Sequence, residues 1–220
     1  MNLIEMNKEK FDIYFNFLVE ENQKYNLTAI TDEKEVYIKH FSDSLLMEKI
    51  IDLNKDIKIC DVGSGAGFPG IPLKICYPNI DLTIIEPTKK RVNFLKMLCK
   101  KLDINVTIIN ARAEDLANEL EEKFDIVTAR AVANTNILLE LLVKICKIKG
   151  KIILYKGDKA LNEIDEAKKA LNLLSLNVES IKTFELDENY GMRNLVLINK
   201  NKKTSEKYPR RYAEILRKPL

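Results

Sequence analysis

The sequence has a single histidine, His40, and four cysteines with no C-x-x-C pair among them. One histidine leaves little scope for a histidine-based metal centre, and no metal is expected. Cys60, Cys76, Cys99 and Cys146 are scattered in apolar contexts, against a disulfide framework or zinc site. They read as core thiols in a reducing cytosol. No apolar run approaches the roughly 18 residues of a membrane span. The first ten residues carry acidic side chains and lead into no apolar block with a small-residue cleavage site, so they do not read as a secretory signal. A cytoplasmic protein without a membrane partner is the expectation. Internal repeats and low-complexity linkers are also lacking. The formal charge of +3 is too small to establish nucleic-acid binding.

At 220 residues the chain fits one domain with extensions. Residues 1–52 read as a helical extension, 53–200 as the core and 201–220 as a basic tail. Phe11, Tyr14, Phe15 and Leu18 recur at helical spacing. Asn26-Leu27-Thr28-Ala29 breaks that helix, and Asp32 with Glu35 forms a capping-box-like pair opening another. From Ile57 the pattern alternates. Strands are predicted near 57–62, 81–86, 105–110, 124–129 and 151–155, with helices near 71–77, 88–102, 113–121, 135–147 and 159–175. Such alternation implies a mostly parallel α/β sheet covered on both faces. Two further strands, near 179–186 and 193–199, have too short a connection for a parallel crossover and must pair antiparallel.

The most informative stretch is Asp61-Val62-Gly63-Ser64-Gly65-Ala66-Gly67-Phe68-Pro69-Gly70, between the first strand and the first core helix. Strand, glycine loop and helix let backbone approach a nucleotide-like ligand. The G-x-G-x-x-G match alone is weak evidence for a dinucleotide. Asp61, two positions before Gly63, would oppose a pyrophosphate but could act on a cationic ligand, directly or through water. Gly63, Gly65 and Gly67 alternate. Glu86 ends the second strand, 21 residues after Gly65, where a carboxylate can accept both ribose hydroxyls. S-adenosyl-L-methionine has a ribose, an amino group and a sulfonium, but no phosphate, and fits better than NAD. The plainer readings are a turn-capping role for Asp61 and a surface charge for Glu86.

Asn110-Ala111-Arg112-Ala113-Glu114 follows the third strand, where Ala113 and Glu114 backbone groups could read an adenine. Arg130 lies just past the fourth strand and could hold a carboxylate or a phosphate. No Pro-Pro-aromatic segment follows that strand, and no Pro-Cys occurs. A substrate atom needing no nucleophilic enzyme group is therefore favoured. From Lys200 to Lys218 eight basic residues face two acidic ones, around Tyr208-Pro209. This run reads either as a solvated, partly disordered tail or as a phosphate-contacting arm through Lys202, Lys203, Lys207, Arg210, Arg211 and Lys218.

On these residues the chain resembles the bacterial small-subunit ribosomal RNA guanine-N7 methyltransferase G family, also called glucose-inhibited division protein B. The resemblance spans nearly the whole chain. It includes Tyr25-Asn26-Leu27-Thr28-Ala29, His40-Phe41-Ser42-Asp43-Ser44-Leu45, the loop from Asp61 to Leu73, and Glu86 with Lys89-Lys90-Arg91 and Phe94-Leu95. Ala113-Glu114, Arg130-Ala131-Val132-Ala133, Lys156-Gly157, Arg193-Asn194-Leu195 and Tyr208-Pro209-Arg210-Arg211 continue it. Ala129 stands where serine is common, and Tyr212 to Arg217 lacks the usual glycine and proline. The resemblance implies a class I S-adenosylmethionine-dependent, Rossmann-like methyltransferase fold. It implies cofactor contacts at Gly63, Phe68, Ala113, Glu114 and Arg130, and methylation of a guanine N7 in 16S ribosomal RNA. The partner would be that RNA or the small ribosomal subunit, with the enzyme a monomer. His40, Asp43, Arg130 and Lys156 are the substrate-side candidates. A module that binds cofactor and RNA without turnover, and an NAD-dependent reductase, are the competing readings.

Overall fold

The computed structural model describes residues 2–187 and 190–220. Seven strands form one sheet: β1 Lys58–Val62, β2 Asp81–Ile85, β3 Thr107–Ile109, β4 Phe124–Arg130, β5 Cys146–Lys156, β6 Leu176–Glu185 and β7 Met192–Lys200. Their order is β3-β2-β1-β4-β5-β7-β6. β1 pairs in parallel with β2 and β4, β2 with β3, and β4 with β5, while β7 runs antiparallel to both β5 and β6. The antiparallel pairing of the last two strands is as the short connection requires. The order reverses between β1 and β4, and the carboxyl ends there are where ligands of open α/β sheets bind.

Both faces of the sheet are covered. Ile59, Ile126 and Ile153 point into one apolar cluster, and Cys60, Val127 and Ile152 into the other. This two-faced burial is why the central strands read as near-continuous apolar runs. The first cluster also takes in Phe11, Tyr14 and Leu18 of the helix Lys8–Tyr25. The N-terminal helices and the sheet therefore share one core. Phe15 is only half-buried and packs beside Tyr37. Asn26 ends that helix in the left-handed region at φ 50°, and the Asp32 side chain accepts the Glu35 amide. No helix among the described residues is long and apolar enough to cross a membrane.

Three predicted helices come out shorter. Over 113–121 only Glu114–Leu116 is helical, a single 3-10 turn. Ala117 and Leu120 are buried from turns instead, so tertiary contact holds the segment without a helix. The predicted 135–147 helix is Thr135–Leu142, and β5 starts at Cys146. Val143, Ile145 and Cys146 are fully buried, and so are the charged residues Glu140 and Lys144, so no exposed polar face marks where the helical period ends. The predicted 159–175 helix divides at Ala167 into Ala160–Glu166 and Lys168–Leu173.

The tail is docked. Thr204, Tyr208 and Ile215 are buried, the last on the helix Tyr212–Arg217. Lys144, itself buried, holds Glu206 at 2.8 Å. A tail fixed at these points is not a disordered coil.

Candidate active site

The glycine loop begins where β1 ends. Gly63, Gly65 and Gly67 have φ of 70°, 61° and 105°, a region that L side chains adopt at a cost. Their surroundings differ. A Cβ on Gly63 would lie 2.7 Å from Val132 Cγ2, and one on Gly67 would lie 2.7 Å from both Ile71 Cγ1 and the Tyr14 hydroxyl. A Cβ on Gly65 would meet nothing within 4 Å. Protein therefore packs against two of the glycines, and the third opens onto free space.

Two carboxylates hold the loop. Asp61 lies fully buried on the face of β1 that carries Ile59. Its Oδ2 accepts the Gly70 amide at 2.8 Å, so the capping reading holds for one oxygen. The other, Oδ1, is buried without a hydrogen-bond partner among the described residues. Burial pushes this carboxyl up to about 7, against the lowering effects of the Gly70 amide and Arg130. With Oδ2 given to Gly70, Oδ1 is the oxygen left to act on a cationic ligand, directly or through water. Glu86 is also buried and is not a surface charge. Its Oε2 accepts Gly65 N at 3.1 Å and its Oε1 accepts Thr88 N at 2.9 Å. Each oxygen keeps a further acceptor site.

The Ser64 hydroxyl is buried without a partner, as is Glu114 Oε1, which lies 3.8 Å from Arg112. Composition gave no signal for Ser64. Asn110 donates to the carbonyls of Glu86 and Pro87, tying the loop after β3 to the end of β2. Ala113 and Glu114 follow three and four residues after Asn110, the latter opening the 3-10 turn.

A second cluster lies on the other side of the loop. The His40 ring stacks on Phe68 at 4.5 Å, and the Arg130 guanidinium sits 4.9 Å over the same ring. Arg130 donates to Asp43 at 2.7 Å, and Arg193 Nε donates to the other Asp43 oxygen at 2.6 Å. Burial, with the Arg130 charge, lowers His40 to about 4, so the ring is neutral near pH 7. Lys156 donates to Glu163 at 2.6 Å and to the Ala133 carbonyl at 3.0 Å. Glu163 also accepts the Thr135 amide and hydroxyl. His40, Arg130, Lys156 and Arg193 line one cavity of about 530 Å³, with Asp43 buried behind the arginines.

The four substrate-side candidates therefore converge. Sequence reasoning had singled out neither Arg193 nor Glu163 for the site. Arg193 belongs to a quoted family motif, whereas Glu163 sits in an ordinary charged helix.

The basic tail divides. Lys202, Lys203, Lys207, Arg211 and Lys218 are exposed. Arg210 is engaged within the fold. Its backbone amide and Nε donate to Glu140 Oε1, and its Nη2 donates to Oε2 at 2.6 Å. Lys200 is buried against Glu122 and the Cys146 carbonyl.

The profile of a family described as rRNA small subunit methyltransferase G matches residues 7–196. A protein of Oceanobacillus iheyensis named Ribosomal RNA small subunit methyltransferase G is 46% identical over 223 residues, covering 100% of this chain and 94% of its own length. One of the same name from Mycoplasma capricolum subsp. capricolum is 50% identical over 211 residues, covering 96% and 90%. Among solved structures, M. jannaschii TYW2 in complex with AdoMet superposes with a TM-score of 0.53 at 22% identity, covering 66% of this chain and 68% of that one. That likeness concerns the fold, a class I methyltransferase sheet. The chain belongs to the rRNA small subunit methyltransferase G family.

Proposed function

We propose that this protein uses S-adenosyl-L-methionine to methylate N7 of a guanine in 16S ribosomal RNA. The observation that carries the cofactor half is the open face of Gly65 beside the buried Glu86 carboxylate. Glu86 has acceptor sites left for ribose hydroxyls, and no phosphate cradle is needed. The orphaned Ser64 hydroxyl and Asp61 Oδ1 are the kind of buried polar atoms that a bound polar ligand, or water with it, satisfies. Phe68 on the loop, and Ala113 and Glu114 after β3, are the further cofactor contacts in this reading. Asp61 acts through the loop, by fixing Gly70. Arg130, over the Phe68 ring and lining the substrate cavity, serves both the cofactor and the substrate in this reading. Membership of the family supports the RNA substrate, and the four free thiols suit a cytoplasmic protein. Both sheet faces are covered by the chain's own helices, which supports action as a monomer.

When bound, the cofactor supplies a methyl group made electrophilic by its sulfonium sulfur. Guanine N7 is an acceptor with a free lone pair. It would accept the methyl group that the cofactor supplies, the S–C electron pair leaving with sulfur. No proton leaves N7, so a general base is not required. That suits the chemistry of the cavity, where His40 is neutral and Lys156 is held by Glu163. The protein's contribution is orientation and exclusion of water. In paired A-form RNA, N7 faces a deep, narrow groove that side chains hardly enter. The target is therefore an unpaired or exposed base. Mapping N7-methylguanine in ribosomal RNA from cells with and without the protein tests this. A modified guanine should disappear from the small-subunit RNA. An unchanged map, or label transferred to protein or a metabolite instead, refutes it.

A further inference from the structure

We propose that Arg193, anchored beside Arg130 by Asp43, turns the fork of its guanidinium to an RNA backbone phosphate beside the target nucleotide. The inference rests on the RNA-methylation reading above and extends it to a residue that reading does not use. Asp43 is fully buried and gives one oxygen to each guanidinium, from the end of β4 and the start of β7. One carboxylate cannot neutralise two arginines, so the triad keeps a positive excess. Arg130 is pinned through both terminal nitrogens, to Asp43, the Lys39 carbonyl and His40. Arg193 is held through Nε alone. Among the described residues its Nη1 and Nη2 have no hydrogen-bond partner, and the side chain is 23% exposed. A guanidinium fixed at Nε, with its outer nitrogens open, suits two-point contact with phosphate.

The cavity it faces is otherwise suited to an anion. Lys39 and Lys156 also line it, and Glu163 is the one carboxylate among its described lining residues, already engaged by Lys156. Position decides between an RNA phosphate and the carboxylate end of the cofactor. In the sheet order Glu86 ends β2, on one side of β1, whereas Arg193 starts β7, three strands away on the other. The described residues lining the cavity with Arg193 include neither Glu86 nor any residue of the glycine loop. Arg193 therefore stands on the substrate side. Asp43 is a positioning residue, since it reaches the phosphate only through Arg193.

The test uses the full-length chain and a labelled 16S RNA fragment that the wild type methylates. Arg193→Ala should flatten the log–log salt dependence of RNA binding by about 0.7–0.9, one phosphate contact. The KM for RNA should rise about ten-fold, while S-adenosylmethionine affinity stays within about two-fold of wild type. Arg193→Lys should restore the slope but only part of the affinity, because an ammonium lacks the planar fork. A second arm needs no protein variant. A single neutral methylphosphonate linkage, scanned through the fragment, should weaken wild-type binding about ten-fold at one position. At that position it should cost Arg193→Ala nothing more. Unchanged salt slopes, or no linkage coupled to Arg193, overturn the fork. Loss of cofactor affinity with an unchanged RNA slope overturns it in favour of the cofactor carboxylate. If the wild type methylates no RNA fragment, the RNA reading itself fails and takes the fork with it.

Discussion

The Glu86 carboxylate accepts the Gly65 amide at 3.1 Å, joining the end of the second strand to the middle of the loop that follows the first. Its other oxygen accepts Thr88 N. Both bonds need an acceptor, and a carboxamide offers only one oxygen. Glu86→Gln should therefore oppose an NH2 group to one of the two amides. The unsatisfied donor costs about 1–3 kcal/mol. Urea unfolding should show that loss together with weaker S-adenosylmethionine binding. Full retention of both would remove Glu86 from the loop's support.

Gly65 separates ligand from scaffold. No protein atom would meet a Cβ there, so Gly65→Ala carries only the strain of a left-handed residue, about 1–2 kcal/mol. The variant should fold and lose most cofactor affinity by calorimetry, and Gly65→Val should lose all of it. Tight binding by Gly65→Val would put the cofactor elsewhere.

Asp61 sets a pH dependence of known sign. Its carboxyl titrates near 7 in the folded chain against an ordinary value of 3.8. The folded state therefore binds the proton more tightly between those values. Its contribution makes stability fall as pH rises from about 4 to about 7, then level off. Asp61→Asn keeps an acceptor for Gly70 and removes the titration. In the absence of cofactor it should be more stable than wild type at pH 8 and little changed near pH 4. Parallel stability curves for the two proteins across that range would contradict the burial of an ionisable Asp61.

His40 works in the opposite direction. With its folded value near 4 and its ordinary value at 6.5, the unfolded chain takes the proton first, and stability from this group is lost as pH falls between them. The chain has one histidine, so its imidazole signals can be followed by NMR without assignment. They should not titrate between pH 5.5 and 8. A midpoint near 6.5 would mean the ring is exposed and not stacked on Phe68.

Arg210 belongs to the fold. Glu140 is fully buried, and Arg210 is 22% exposed, so Arg210→Met leaves an unpaired carboxylate inside the protein. The cost should lie near the low end for a broken buried pair, about 3 kcal/mol. Arg211→Met, on an exposed neighbour, should be nearly neutral in stability. A stable Arg210→Met variant with weakened RNA binding would return this residue to the RNA surface.

The sequence by itself determined the sheet's construction, the loop and its cofactor class. Those features are local. Strand–helix alternation, glycines at positive φ and a carboxylate at the next strand's end are set by short spacings along the chain. It also determined the antiparallel pairing of β6 and β7, because their connection is too short for a crossover. Tertiary structure alone decided which charges are free. Arg210 and Arg211 are adjacent in one basic motif, yet Glu140, 70 positions away, claims the first. Asp61 reads as either a ligand contact or a cap, and the fold commits one of its oxygens to Gly70. Arg193 becomes part of the site only because β7 lies beside β5 and brings it to Asp43, 150 residues distant. Partners that far apart leave no periodic trace in a single sequence, since a charge's role depends on what the folded chain sets opposite it.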